Sequence, residues 1–204
     1  MVGVMLLEDF SEQLQIDDPE ERRLISAVSW RQYETLLADF EDRPGYRVTF
    51  LDGTLEIMSP SRRHEISAEN IGRLLEAYLE ETRIRFWGLG STTFRSAEKI
   101  GGAEADKSYN LGTEKEFPDL AIEVIITSGG VDKLEVYRRL GVTEVWFFRN
   151  DAFAVYCLRG EAYQQVSASE LLPDLDLATL AEYAVRPDPL EALIEYRRNV
   201  RGSG

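Results

Sequence analysis

A glutamate with apolar neighbours on both sides is the first residue in this sequence that asks for a chemical explanation. Glu123 lies in PDLAIEVIITSGGVDK, from Pro118 to Lys133, within a run that has the composition of a buried strand. An ionised carboxylate in an apolar layer is costly unless it is paired, hydrogen-bonded or bound to a metal, so a position without a task would carry Val or Ile. Asp119 precedes it by four residues, which on a strand means the same face but about 13 Å away at ~3.3 Å per residue. One ion cannot join the two. Metal–oxygen bonds of roughly 2.0–2.6 Å require acids that converge from neighbouring strands or a facing helix. Glu56, Glu104 and Asp106 lie ahead of Glu123 in the chain, and periodicity does not choose among them.

Other chemistries are excluded by what is missing. His64 is the only histidine, so no Cys–His or Ser–His pair can be completed beyond it and a His-rich zinc site is ruled out. Neither GxxxxGK[ST] nor GxGxxG occurs, which removes nucleotide chemistry through those phosphate-cradling loops. Cys157 sits among Val, Tyr and Leu and reads as core; a single cysteine allows no internal disulfide and fits a reducing cytoplasm. The net charge of -14 repels nucleic acid as a whole, leaving SRRHE (Ser61 to Glu65) and YRRL (Tyr137 to Leu140) as local basic spots. Such short clusters are ordinarily solvated helix faces.

These residues need elements to hold them. SWRQYETLLADFE begins with Ser29 as N-cap and Gln32 three residues later, a capping box, and Trp30, Tyr33, Leu36, Leu37 and Phe40 form one apolar stripe. YRVTFLDGTLEIMSP reads as a hairpin turned at Asp52-Gly53, with Glu56 expected to face solvent on the second strand. From about Arg63 to Glu81, Ala68, Ile71, Leu74, Leu75, Tyr78 and Leu79 recur at helical spacing, and His64 lies on that inward face. IRFWGLG and TTFRSAE look like strands. KIGGAEADKSYNLGTEKEF reads as a polar loop with one extended piece near Asp106 to Asn110. DLAIEVII is the strongest strand, GGVDKLEVYRRLGV a short helix after a glycine turn, and TEVWFFR and AFAVYCL are strands joined at Asn150-Asp151. Residues 1–27 read as an irregular arm or a short helix around PEERRLIS, and the C-terminal part as short outer helices. The order implies an α/β or α+β layer with a mixed sheet. At 204 residues with 44% apolar content one domain is expected; no run approaches the ~18 apolar residues of a membrane span, and MVGVMLLEDF lacks the basic region of a secretion signal.

SWRQYETLL, LDGTLEIMSPSRRHEI, EADKSY, PDLAIEVI and DKLEVYRRLGVTEVWFF, in that order, resemble the Uma-type domains, a bacterial family in the PD-(D/E)xK nuclease superfamily. The resemblance runs from about Ser29 to Arg159. It implies a restriction-endonuclease-like core with flanking helices and an N-terminal helix plus hairpin, arranged as an arm at 1–28, the core at 29–160 and a C-terminal helical extension at 161–204. It implies Mg²⁺ (or Mn²⁺) held by Asp106 and Glu123, with DNA as the substrate. Asp119, the literal PD acid at Pro118-Asp119, rivals Asp106. Glu123 matches the acid of the E-x-K element, whose lysine position here is Ile125; Lys133 on the following helix stands in for it. His64 matches a histidine of the family segment. The bland alternatives are Glu123 as a structural acid paired with Lys133 or an arginine, Lys133 as a surface lysine, and His64 as a hydrogen-bonded core residue. At the level of function, the alternative is a non-catalytic interaction or regulatory protein on the same scaffold, in which aromatic strands such as EVWFF serve a homodimer interface or simply the core.

Overall fold

Two sheets and five helices make up the described residues, 20–40, 45–127 and 130–202 of the computed structural model, an α+β arrangement consistent with a restriction-endonuclease-like core. In chain order the elements are β1 (Glu21–Ile25), α1 (Trp30–Phe40), β2 (Arg47–Leu51), β3 (Thr54–Ser59), α2 (Arg62–Glu81), β4 (Phe86–Gly88), β5 (Thr93–Ser96), β6 (Gly101–Glu104), β7 (Lys107–Leu111), β8 (Leu120–Val124), α3 (Lys133–Leu140), β9 (Glu144–Arg149), β10 (Ala152–Arg159), β11 (Ala162–Val166), α4 (Leu177–Ala184) and α5 (Pro189–Gly202). One sheet has the order β1-β3-β2-β6-β5 and is antiparallel throughout. The other has the order β11-β10-β9-β8-β7-β4 and is antiparallel except for the parallel pair β8/β9. Parallel neighbours need a crossover, and α3 is that crossover. It therefore packs directly against the strand that carries Glu123.

The local signals explain most of these elements. Ser29 and Gln32 exchange the capping-box bonds, Ser29 N–H to Gln32 Oε1 at 2.8 Å and Gln32 N–H to Ser29 Oγ at 3.3 Å. Asp52 and Gly53 adopt φ of 46° and 82°, and Asn150 and Asp151 adopt 51° and 60°; both pairs carry the two positive φ values that match a tight turn to the twist of the flanking strands. The apolar face of α2 packs on Leu120, Ile122 and Val124 of β8 together with residues of α4 and α5, forming the larger core. Ala121 of β8 and Val145 of β9 point the opposite way, onto Val136, Tyr137 and Leu140 of α3. Central β8 is thus buried on both faces, and all five of its residues are buried. Tyr33, Val48, Phe50 and Leu55 form a third, smaller core beneath α1.

Several elements differ from expectation. The arm contains a strand: β1 pairs with β3, with Leu24 and Ile25 still 55% and 45% exposed. Backbone pairing at a sheet edge, rather than burial, makes it a strand, so no alternation marks it. Residues 1–19 lie outside the described residues. The polar stretch around Gly101 is also a strand, β6, between β2 and β5. Its glycines hid it: Tyr33 lies over Gly102, and a Cβ there would come within 3.0 Å of the Tyr33 Cζ. Ala162–Val166, expected in a helical extension, is the edge strand β11. Val145 and Trp146 are fully buried within the protomer, so EVWFF serves chiefly the core.

Candidate functional site

Alternation along β8 turns Glu123 to the same side as Ala121, toward α3. The residue is 1% exposed. Its Oε2 accepts from the Lys133 ammonium at 2.6 Å and its Oε1 accepts from the Tyr137 hydroxyl. Lys133 and Tyr137 are four apart on α3 and so share one helix face. Asp132 caps that helix by accepting the Glu135 N–H at 3.2 Å, and the left-handed Gly141 (φ 80°) ends it. The helix start that positions Lys133 is held from the other sheet. Glu56 is buried, not solvent-facing as expected, and accepts the Val131 N–H at 2.8 Å. The Gly130–Val131 backbone at that helix start lies over the face of β3 that carries Glu56, which removes the solvent face a hairpin strand would otherwise present.

Asp106 sits at the bend before β7. β7 pairs with β8 so that Lys107 faces Ile122, and continuing the register by one residue sets Asp106 across from Glu123. Its Oδ2 accepts the Val124 N–H at 2.7 Å and lies 3.2 Å from His64 Nε2, an ion-pair contact too oblique for an aligned hydrogen bond. Its buried Oδ1 has no hydrogen-bond partner among the described residues, although Arg47 Nε is 3.6 Å away. His64 is in the first turn of α2, where the Ser61 Oγ accepts its N–H at 3.1 Å, and its Nδ1 is 3.6 Å from Glu65 Oε1. Arg47 bridges further to Glu104 and Glu65, each at 3.2 Å. The structure therefore gathers Asp106, Glu123, Lys133 and His64 into one buried cluster fed by β7, β8, α3 and α2.

Asp119 is not part of it. Its carboxylate turns to the β7–β8 connection, accepting the Leu111 N–H at 2.9 Å and the Lys115 ammonium at 2.6 Å. Ile125, at the E-x-K lysine position, donates its N–H to Phe148 O at 2.8 Å and offers no cation. Lys133 brings one instead. Tyr137, Arg47 and Glu65 were not anticipated from sequence. Tyr137 had a usable signal, its four-residue spacing from Lys133. Arg47 had none, being remote in the chain from every acid it touches except through the fold.

The charges are mutually dependent. Burial pushes the Glu123 carboxyl above the ordinary glutamate range, Lys133 opposes that shift, and the Asp106 charge adds to it. For Asp106, burial also pushes upward, but His64 and Lys133 outweigh it and hold the carboxyl below its usual value. Burial alone would depress Lys133, yet the Glu123 and Asp106 carboxylates carry it upward. The same competition raises His64 to about 9, with burial opposed by Asp106 and Glu65. Tyr137, pushed far up by burial and by Glu123, stays a hydrogen-bond donor.

Glu123 and Lys133 border a cleft of about 540 Å³, and Asp106 borders a second opening of about 440 Å³ beside Arg47, Glu65 and Lys107. No group of three His, Cys, Asp or Glu able to hold a metal occurs among the described residues. The donor set fits an ion of the Mg²⁺ type rather than an all-protein cage. Such an ion takes one or two carboxylates and completes its shell with water and substrate phosphates. The Asp106 Oδ1, which has no hydrogen-bond partner among the described residues and lies opposite a second carboxylate, is the atom that supports this fit.

The chain matches the model of the Uma2 family, described as "Putative restriction endonuclease", over residues 30–187. No curated protein matches it.

Proposed function

The chain belongs to the Uma2 family, and from that membership we propose that it is a divalent-metal-dependent endonuclease hydrolysing phosphodiester bonds in DNA. One observation carries the reading: two buried carboxylates, Glu123 on β8 and Asp106 across from it at the bend before β7, with a lysine ammonium on the first and, on the second, an oxygen that has no hydrogen-bond partner among the described residues. Asp106 and Glu123 are the residues that would hold Mg²⁺ or Mn²⁺, which when bound supplies Lewis acidity at the phosphate and lowers the pKa of water. Lys133 holds a positive charge beside the reacting phosphate, where it neutralises charge that develops in the transition state. Tyr137 and Lys133 together fix the Glu123 carboxylate. The Val124 N–H and the protonated His64 fix Asp106 and keep it ionised. His64 is in this reading a positioning residue. The protein works in the cytoplasm, where its buried Cys157 stays reduced. Among the described residues no helix is long and apolar enough to cross a membrane.

A second reading, a non-catalytic scaffold, draws on the fact that both Glu123 oxygens already have donors within the chain. Nicking of supercoiled plasmid at low salt with Mg²⁺ or Mn²⁺ separates the two. The nuclease should lose about 10²–10³-fold in rate on Lys133→Met, the scale expected when a transition-state donor is removed, and all measurable activity on Glu123→Gln. Calorimetry should show ion binding that Glu123→Gln weakens. A wild type that neither nicks nor binds the ion leaves the scaffold.

A further inference from the structure

Of the two basic spots in the sequence, the structure neutralises one and opens the other. Arg138 and Arg139 of α3 are consumed in ion pairs with Glu135, Asp52 and Glu161. Arg62 and Arg63, at the start of α2, instead line a cavity of about 840 Å³ together with Arg73, Arg149 and Arg186. The carboxylates in that lining are Glu69, which Lys107 engages, and Asp151. Arg186 is held by Glu182 and Glu195. Arg62, Arg73 and Arg149 are exposed and make no ion pair among the described residues, in a chain whose net charge is -14.

Exposed arginines lining a shared concavity make a locally positive patch, and a polyanion bound there releases its counterions. Arg62 and Arg73 are eleven residues apart on α2, hence on the same face and ~16 Å apart along the axis. That distance spans about five phosphates of one strand at 3.4 Å each. The cavity also adjoins the candidate site: Ile125, Arg149 and Asn150 line both it and the Glu123–Lys133 cleft. A strand lying over Arg62 and Arg73 is led past Arg149 to Glu123.

We propose that this cavity is the track for the DNA backbone, with Arg62, Arg73 and Arg149 binding phosphates of the strand that continues to Glu123 and Lys133. The proposal rests on the nuclease reading and adds where the substrate lies and why a protein of this charge binds it at all.

The test is fluorescence anisotropy with a short labelled DNA duplex in EDTA over a salt series, with plasmid nicking in Mg²⁺ run in parallel. The triple variant Arg62→Ser/Arg73→Ser/Arg149→Ser is compared with Arg83→Ser/Arg85→Ser/Arg198→Ser. The second triple makes the same charge change near the opposite end of α2, whose 20 residues set Arg83 about 30 Å from Arg62. The first triple should reduce the slope of log K against log salt by about 2.7, at 0.9 per phosphate contact, weaken binding at least tenfold, and raise the KM for nicking more than it lowers kcat. The control triple should do little. Equal weakening in both triples, or none in the first while Mg²⁺-dependent nicking persists, overturns the track and leaves the nuclease reading standing. A wild type that neither binds DNA nor nicks it overturns both.

Discussion

Lys133→Met keeps the length and the apolar stem of the side chain and removes only the ammonium, so it isolates the charge that faces Glu123. The Glu123 residue is 1% exposed and the Lys133 side chain 9% exposed, so water cannot replace the lost partner. Removing one member of such a pair costs about 3–5 kcal/mol, because the remaining charge is left buried. Here the Tyr137 hydroxyl still donates to Glu123, while the Asp106 charge across the strands adds repulsion. The carboxyl escapes by taking a proton, which sets the sign of the pH dependence. Glu123 already has a folded pKa raised to about 7, so its contribution to stability is present at acid pH and is lost as pH rises through that value. The variant raises the folded pKa further. Its deficit against wild type is therefore small near pH 5, opens above about 7, and grows by up to ~1.4 kcal/mol per pH unit until its own pKa is reached. Urea unfolding of wild type, Lys133→Met, Glu123→Gln and the double variant at several pH values measures both the deficit and the coupling. A deficit below about 1 kcal/mol at pH 8, a deficit independent of pH, or strictly additive single variants would refute the buried-pair argument.

Two further outcomes are expected. His64 has a folded pKa raised to about 9 from an ordinary value of 6.5, so its stabilisation is complete below about 6.5 and is lost as pH rises through 9; His64→Gln should flatten the stability profile across that window, and an unaltered slope there would show that His64 is not held as a cation. Gly102→Ala should destabilise by about 1–3 kcal/mol through overpacking against Tyr33, with Tyr33→Phe restoring part of the loss in the same chain; thermal unfolding at wild-type temperature would show that no close approach exists there.

By itself the sequence determined the elements whose signals are local. The Ser29–Gln32 box, the turns at Asp52-Gly53 and Asn150-Asp151, the apolar stripe of α2 with His64 on its inner face, and the doubly buried β8 all depend on residues within a few positions of one another. The demand that Glu123 have a partner was legible for the same reason, since burial of one short strand follows from its composition. Which residue meets that demand was not. Asp106, Asp119 and Glu56 are all acids near strands, and only the β7–β8 register, the bend before β7 and the packing of the α3 start over β3 assign them to the cluster, to a turn and to the support of that helix start. β1 and β6 were illegible because an edge strand and a glycine strand acquire their structure from the neighbour they pair with, not from their own side chains. The same holds for Arg62 and Arg139, equally basic in sequence, of which the fold supplies carboxylates to one and a concavity to the other. Local free energies of propensity and turn chemistry are written within a few residues, whereas convergence of charge depends on backbone ladders and packed layers that join residues far apart in the chain, and only the folded structure contains those.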